Sequence, residues 1–220
     1  MPQGRFAARR WWWVAGAVII ILGAGAFWAR TRFNAAPALE GAVLTPPVAA
    51  YDFRLPDQDG RAVSLSALRG KVVALTFLYA RCPDYCPLIA DQIAAVHGQL
   101  GALGDRVAFV AVSVDPVGDT PGVIREFLAL HHVAGILTYV RGTAAQLRPV
   151  WAHYFVASDA PGAGPAAVGA GAGPVPAQTV SHTTIVYVID PQGRIRVFLP
   201  ANFDPKDLAT DIRVLARTAR

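Results

Sequence analysis

Residues 71–87 read KVVALTFLYARCPDYCP, and this stretch decides the fold. Its first ten residues, Lys71 to Ala80, are almost continuously apolar and rich in β-branched and aromatic side chains. That composition suits a strand buried on both faces. From Pro87 to Leu100 (PLIADQIAAVHGQL) the apolar residues recur at helical spacing. Proline is tolerated in a first helical turn, so a helix is predicted to begin near Cys86. Both cysteines of the chain, Cys82 and Cys86, sit where this buried strand runs into this helix.

The same reading extends outward. Arg106 to Val114 (RVAFVAVSV) is a second buried strand, and Asp119-Thr120-Pro121 opens a helix through about His131, an Asp or Thr cap followed by proline in the first turn. Ile136 to Val140 is a third strand and Thr143 to about Tyr154 a helix. Thr183 to Asp190 (TTIVYVID), a turn at Pro191 to Arg194, and Ile195 to Leu199 form a hairpin, and a helix from about Pro205 to Arg217 closes the chain. Upstream, Tyr51 to Leu68 holds Asp57-Gln58-Asp59-Gly60 between two short extended runs and is predicted to be a β-hairpin. Strands alternate with helices early and a hairpin completes the sheet late. The expected fold is therefore α/β, a thioredoxin-like sandwich with a mixed sheet over residues 51–220. Residues 157–180, almost entirely alanine, glycine, proline and valine, cannot bury a core and are expected to be a flexible loop, either a surface insertion or a lid beside Ser181-His182.

The N-terminal region is different in kind. Trp11 to Ala29 (WWWVAGAVIIILGAGAFWA) has no charge and no proline. At about 1.5 Å per residue it reaches roughly 28 Å, enough for a hydrocarbon core of about 30 Å. Tryptophans mark both ends, and arginines flank them: Arg5, Arg9 and Arg10 before, Arg30 and Arg32 after. This predicts one transmembrane anchor over 11–29, with a cytoplasmic basic tail over 1–10 and an exported C-terminal domain. A cleaved signal peptide competes with that reading. Residues 30–50, without periodicity and holding three prolines, are expected to be a linker. The expected location is the inner (plasma) membrane of a bacterium, single-pass, with the domain in the periplasm; no mitochondrial transit peptide is evident.

The 220 residues suit one domain and an appendage, with 54% hydrophobic and 16% charged residues. The net charge of +5 is the N-terminal region's own: its five arginines removed, the remainder balances fifteen basic against fifteen acidic residues. The charge is thus no sign of nucleic-acid binding, and no such partner is expected. Two cysteines exclude a disulfide-dense scaffold and a four-cysteine cluster within one chain.

Cysteines four apart on a helix or turn share a face, so two sulfurs can meet one metal ion or each other. Three chemistries follow. Two thiolates with an imidazole make a soft site suited to copper, Cu(I) above all. Thiol–disulfide exchange is the second. A plain disulfide is the third, and closing so short a loop stabilises little. A helix N-terminus near Cys86 favours its thiolate. Of the histidines, His97 lies far down the first helix, His131 and His132 end a helix where a solvated role is expected, and His153 sits among Trp151, Tyr154 and Phe155 and is expected to pack. His182 precedes a strand. The start of an antiparallel strand beside the end of strand 71–80 would turn it toward Cys82 and Cys86, making it the candidate third ligand.

These residues resemble the Sco/SenC family of membrane-anchored copper proteins. The resemblance rests on Cys82-Pro-Asp-Tyr-Cys86-Pro87, on Ser113-Val-Asp115-Pro-Val-Gly-Asp119-Thr-Pro121, and on Ser181-His182 through Ile189-Asp190-Pro-Gln-Gly193, in the family's order over roughly residues 50–218. It implies that Cys82, Cys86 and His182 bind one copper ion, Cu(I) or Cu(II), with Cys82 and Cys86 also the redox-active pair. It implies a metallochaperone, with no catalytic residue assigned, that delivers copper to the CuA subunit of cytochrome c oxidase and exchanges with other copper chaperones. The alternative is a thiol–disulfide oxidoreductase keeping the oxidase cysteines reduced. A peroxidase ranks last, resting on fold analogy alone. Asp115 and Asp119 are expected to serve turn and helix capping. The long glycine-alanine insertion before Ser181 departs from the family pattern and implies a movable His182.

Overall fold

A computed structural model of the chain describes residues 20, 21, 23–25, 28, 38–156 and 184–217. It divides into two units, Met1–Pro37 and Ala38–Arg220. In the first, the described residues are helical. The predicted 11–29 span falls largely outside the described residues, and among those described no helix is long and apolar enough to cross a membrane.

The second unit is built on a sheet of six strands in the order β1-β8-β7-β4-β5-β6. The strands are β1 (Ala42–Ala49), β4 (Val72–Leu78), β5 (Val107–Ser113), β6 (Leu137–Val140), β7 (Ile185–Ile189) and β8 (Arg194–Pro200). β2 (Arg54–Pro56) and β3 (Ala62–Ser64) form the expected hairpin as a separate two-stranded sheet. Four helices complete the unit: α1 (Tyr85–Leu100), α2 (Pro121–Leu130), α3 (Ala144–His153) and α4 (Pro205–Arg217).

The apolar run chosen from the sequence is the central strand. Every residue of β4 is buried. It pairs in parallel with β5, Val72 opposite Val107 through Leu78 opposite Ser113, and antiparallel with β7, Val73 opposite Ile189 and Leu75 opposite Tyr187. The sheet is mixed, as predicted. α1 presents Cys86, Ile89, Ala90, Ile93, Val96 and Leu100 as one buried stripe at helical spacing and packs on α4. Cys86 is the first member of that stripe, which is why it is buried.

One expectation about domain limits is corrected. The segment read as a linker over 30–50 contributes β1, which pairs antiparallel with β8 with a register shift between Val43 and Val48. β1 is an edge strand, mostly exposed, and carries Pro46 and Pro47. An edge is where a sheet tolerates proline, because no ladder partner waits for the missing N–H. Two contacts seat its start. Asp211 of α4, fully buried, accepts the backbone N–H of Glu40 (2.6 Å) and Gly41 (3.2 Å). Gly41 lies so close to β8 that a Cβ there would collide with Val197 and the Phe198 carbonyl.

The strand directions place the site. β1, which starts beside Phe198, and β7, which starts beside Pro200, both begin at the end of the sheet where β4 finishes. The chain therefore enters the second unit at the same end as the cysteine loop, three strand spacings away, about 14 Å.

Candidate metal centre

β4 ends at Leu78, and the chain turns through Tyr79–Asp84 into α1. The Cys82 N–H closes that turn on the Tyr79 carbonyl (3.2 Å), and Val114 N–H ties the neighbouring strand to Leu78 (2.9 Å). Cys82 is half-buried and Cys86 fully buried, and no disulfide joins them. The two side chains are hydrogen-bonded. That bond, then burial, then the neighbouring charge at Cys82 push the Cys86 thiol far above its ordinary range. The helix N-terminus does not win at Cys86: the thiolate expected there is outweighed by the hydrogen bond and by desolvation. A metal bound by this pair must displace the proton, since thiolates are the ligands.

Under the loop lies a carboxylate that the sequence reading assigned to capping. Thr120 is the cap of α2, accepting the Val123 N–H on its hydroxyl (3.4 Å), and Asp115 holds its own turn by accepting Gly118 N–H (2.8 Å). Asp119 instead ties three strand ends together. It accepts the Ala80 N–H (2.8 Å) just past β4, the Ser113 hydroxyl (2.6 Å) at the end of β5 and the Tyr139 hydroxyl (2.9 Å) in β6. Burial raises its pKa to about 6 against the pull of these three donors. Tyr139, fully buried, is pushed well above its usual range by burial and by Asp119. Trp151 adds a hydrogen bond to the Ser113 carbonyl (3.0 Å). The base of the cysteine loop is thus pinned from below by polar contacts in the core, where such contacts are strongest.

The histidines divide. His97 lies edge-on to Phe109, ring centres 6.4 Å apart, well along α1. His153 stacks on Tyr51 at 3.7 Å and bonds the Pro149 carbonyl. His131 departs from its expected solvated role: its side chain is 13% exposed, its Nδ1 meets Asp91 Oδ1 of α1 at 2.8 Å, and its ring packs on Phe127. It also lines, with Cys82, a groove of about 500 Å³ whose other walls are Ala80, Arg81, Pro87, Val123, Glu126, Phe127 and Leu130. Asp91, forty residues earlier on another helix, is the partner that local sequence could not show. Ser181 and His182, and the loop expected over 157–180, lie outside the described residues, which resume at Thr184. Among the described residues no three His, Cys, Asp or Glu side chains gather to hold a metal. The described donor set is the dithiol, which is soft and fits a soft ion such as Cu(I).

A mixed-sheet domain presenting a hydrogen-bonded dithiol where its central strand meets a helix defines a class: thioredoxin-like proteins with a paired-cysteine site. The SCO1/SenC family model matches residues 44–217, and the chain belongs to that family. It is 29% identical over 162 residues to the mitochondrial protein SCO2 of Saccharomyces cerevisiae, covering 73% of this chain and 50% of that one. It is 28% identical over 162 residues to protein SenC of Rhodobacter capsulatus, covering 73% and 67%. The chain thus spans about half the length of the yeast relative. Among solved structures it is similar to Bradyrhizobium japonicum ScoI with copper bound, at 28% identity and a TM-score of 0.62, covering 76% of this chain and 99% of that one.

Proposed function

We propose that this chain is a copper metallochaperone that carries one copper ion on Cys82, Cys86 and His182 and delivers it to the CuA centre of cytochrome c oxidase during assembly. The family is one of copper binding and oxidase assembly, and a relative's structure holds copper. The observation that carries the reading is the asymmetric thiol pair, one sulfur buried and one half-exposed beside a groove. Cys86 is the retaining ligand. Cys82 is the sulfur that an acceptor thiolate reaches first, so the ion passes through a shared, low-coordinate intermediate. His182 precedes a strand that starts at the cysteine end of the sheet, which supports its place as third donor. In the cell the chain is anchored by residues 11–29 in a bacterial plasma membrane with the domain in the periplasm. The apolar, tryptophan-bounded run with flanking arginines supports this.

Titration of Cu(I) into the full chain tests it. One tight equivalent is expected, abolished by Cys82→Ser or Cys86→Ser and weakened at least tenfold by His182→Ala. Unchanged affinity in His182→Ala removes the histidine from the site. The second reading, a thiol–disulfide reductase for the oxidase cysteines, is favoured by the exposure of Cys82. Restoration of oxidase assembly by His182→Ala but by neither cysteine variant selects it.

A further inference from the structure

The groove beside Cys82 is larger than a metal needs. Val123, Phe127 and Leu130 lie along it at positions i, i+4 and i+7 of α2, so its apolar side runs about 10 Å, seven residues at about 1.5 Å each. Leu130 is 70% exposed, an apolar side chain with its body in water. Arg81 stands next to Cys82 and Glu126 stands on α2; both are exposed, and neither is ion-paired among the described residues. A lone thiol compound would fill only the Cys82 end. A length of about 10 Å matches three extended residues at about 3.3 Å each. Arg81 beside Cys82 calls for an acid there, and Glu126, one turn of α2 before Leu130, calls for a base between the cysteine and the apolar residues.

We propose that this groove is the docking site of a partner's extended segment, with a cysteine beside Arg81, a cation next to it at Glu126, and apolar residues beyond, over Phe127 and Leu130. It guides that cysteine sulfur-first onto Cys82. The proposal rests on the reading that Cys82 exchanges with a partner's thiol, and it extends that reading by naming the partner's local chemistry. Phe127 and Pro87 line the groove, Leu130 is its most exposed apolar residue, and Arg81 and Glu126 supply one charge of each sign.

The experiment needs no copper, so it stands or falls apart from the metal reading. The probe is a blocked pentapeptide, glutamate–cysteine–lysine–leucine–leucine, carried as its mixed disulfide with 5-thio-2-nitrobenzoate. The full-length chain, reduced, is mixed with it. The Cys82 thiol gives its proton to buffer, its sulfur bonds the peptide sulfur, the probe's S–S bond breaks, and nitrothiobenzoate leaves as a coloured thiolate. With the wild-type chain the rate saturates with probe concentration. Leu130→Asp, a change at an exposed position, raises half-saturation at least tenfold, while the small symmetrical nitrobenzoate disulfide reacts with both proteins equally. Glu126→Lys weakens binding about threefold, and a probe with glutamate in place of lysine restores it, a rescue that a folding defect cannot produce. Equal half-saturation in wild type and Leu130→Asp, a rate linear in probe, or no charge rescue overturns the proposal. So does a wild-type dimer that Leu130→Asp dissolves, because the groove's occupant is then a second copy.

Discussion

Asp119 holds the rim of the sheet on which the thiols stand, and its environment sets a pH signature. Its pKa rises from 3.8 to about 6 on folding because burial outweighs three hydrogen-bond donors. The folded protein keeps this proton to higher pH than the unfolded chain does. The associated stability is therefore full below about pH 4 and is lost as pH rises through 6, about 3 kcal/mol at about 1.4 kcal/mol per pH unit. In metal-free protein, denaturant midpoints of wild type and Asp119→Asn should converge toward low pH and separate between pH 4 and 7, with only the wild type showing the decline. Parallel curves would remove the effect. The cysteines differ just as sharply. Cys86 is buried and its thiol is pushed up, while Cys82 meets solvent. Brief iodoacetamide treatment of the reduced chain should label Cys82 at least tenfold over Cys86 by peptide mapping, and equal labelling would contradict this asymmetry. The setting of Asp119 was not written locally. Asp119-Thr120-Pro121 reads as a cap because its neighbours are cap residues, whereas Ala80, Ser113 and Tyr139 reach it only after folding.

Among the elements, those with strong periodicity were legible and the one without was not. β4, β5 and the helices show runs or stripes that only burial explains, and their limits fall within a few residues of the sequence reading. β1 has no such pattern because it lies at an edge, exposed along most of its length, with two prolines. It is held by Asp211 and by backbone proximity at Gly41, neither of which leaves an apolar signal. Asp211→Ala leaves two N–H groups without their acceptor, at a cost of about 1–3 kcal/mol. Hydrogen exchange should rise along Ala42–Ala49 and stay slow in β4 and β5; uniform acceleration would mean that the carboxylate supports the whole core instead. α3 opens on a capping box. Thr143 accepts the Gln146 N–H, and Gln146 Oε1 accepts the Thr143 N–H (2.9 Å) in return. Thr143→Ala should cost about 1 kcal/mol by chemical denaturation, and no loss would show the helix to be fixed by packing alone.

For the molecule as a whole, the fold and the dithiol could be read from the sequence because both rest on the Lys71–Pro87 segment. The third ligand could be argued only from topology and resemblance, and His182 lies outside the described residues. The break between units at Pro37 and Ala38 carries its own test. A chain of residues 38–220 should fold cooperatively, while one starting at Tyr51, the boundary the sequence reading suggested, lacks β1 and should unfold at clearly lower denaturant. Equal midpoints would make β1 dispensable. The point where the chain enters this unit has a further consequence. It lies on the same side of the domain as the sulfurs, only a few strands across. Force applied to the chain there would load the rim that carries the sulfurs rather than the opposite end of the sheet.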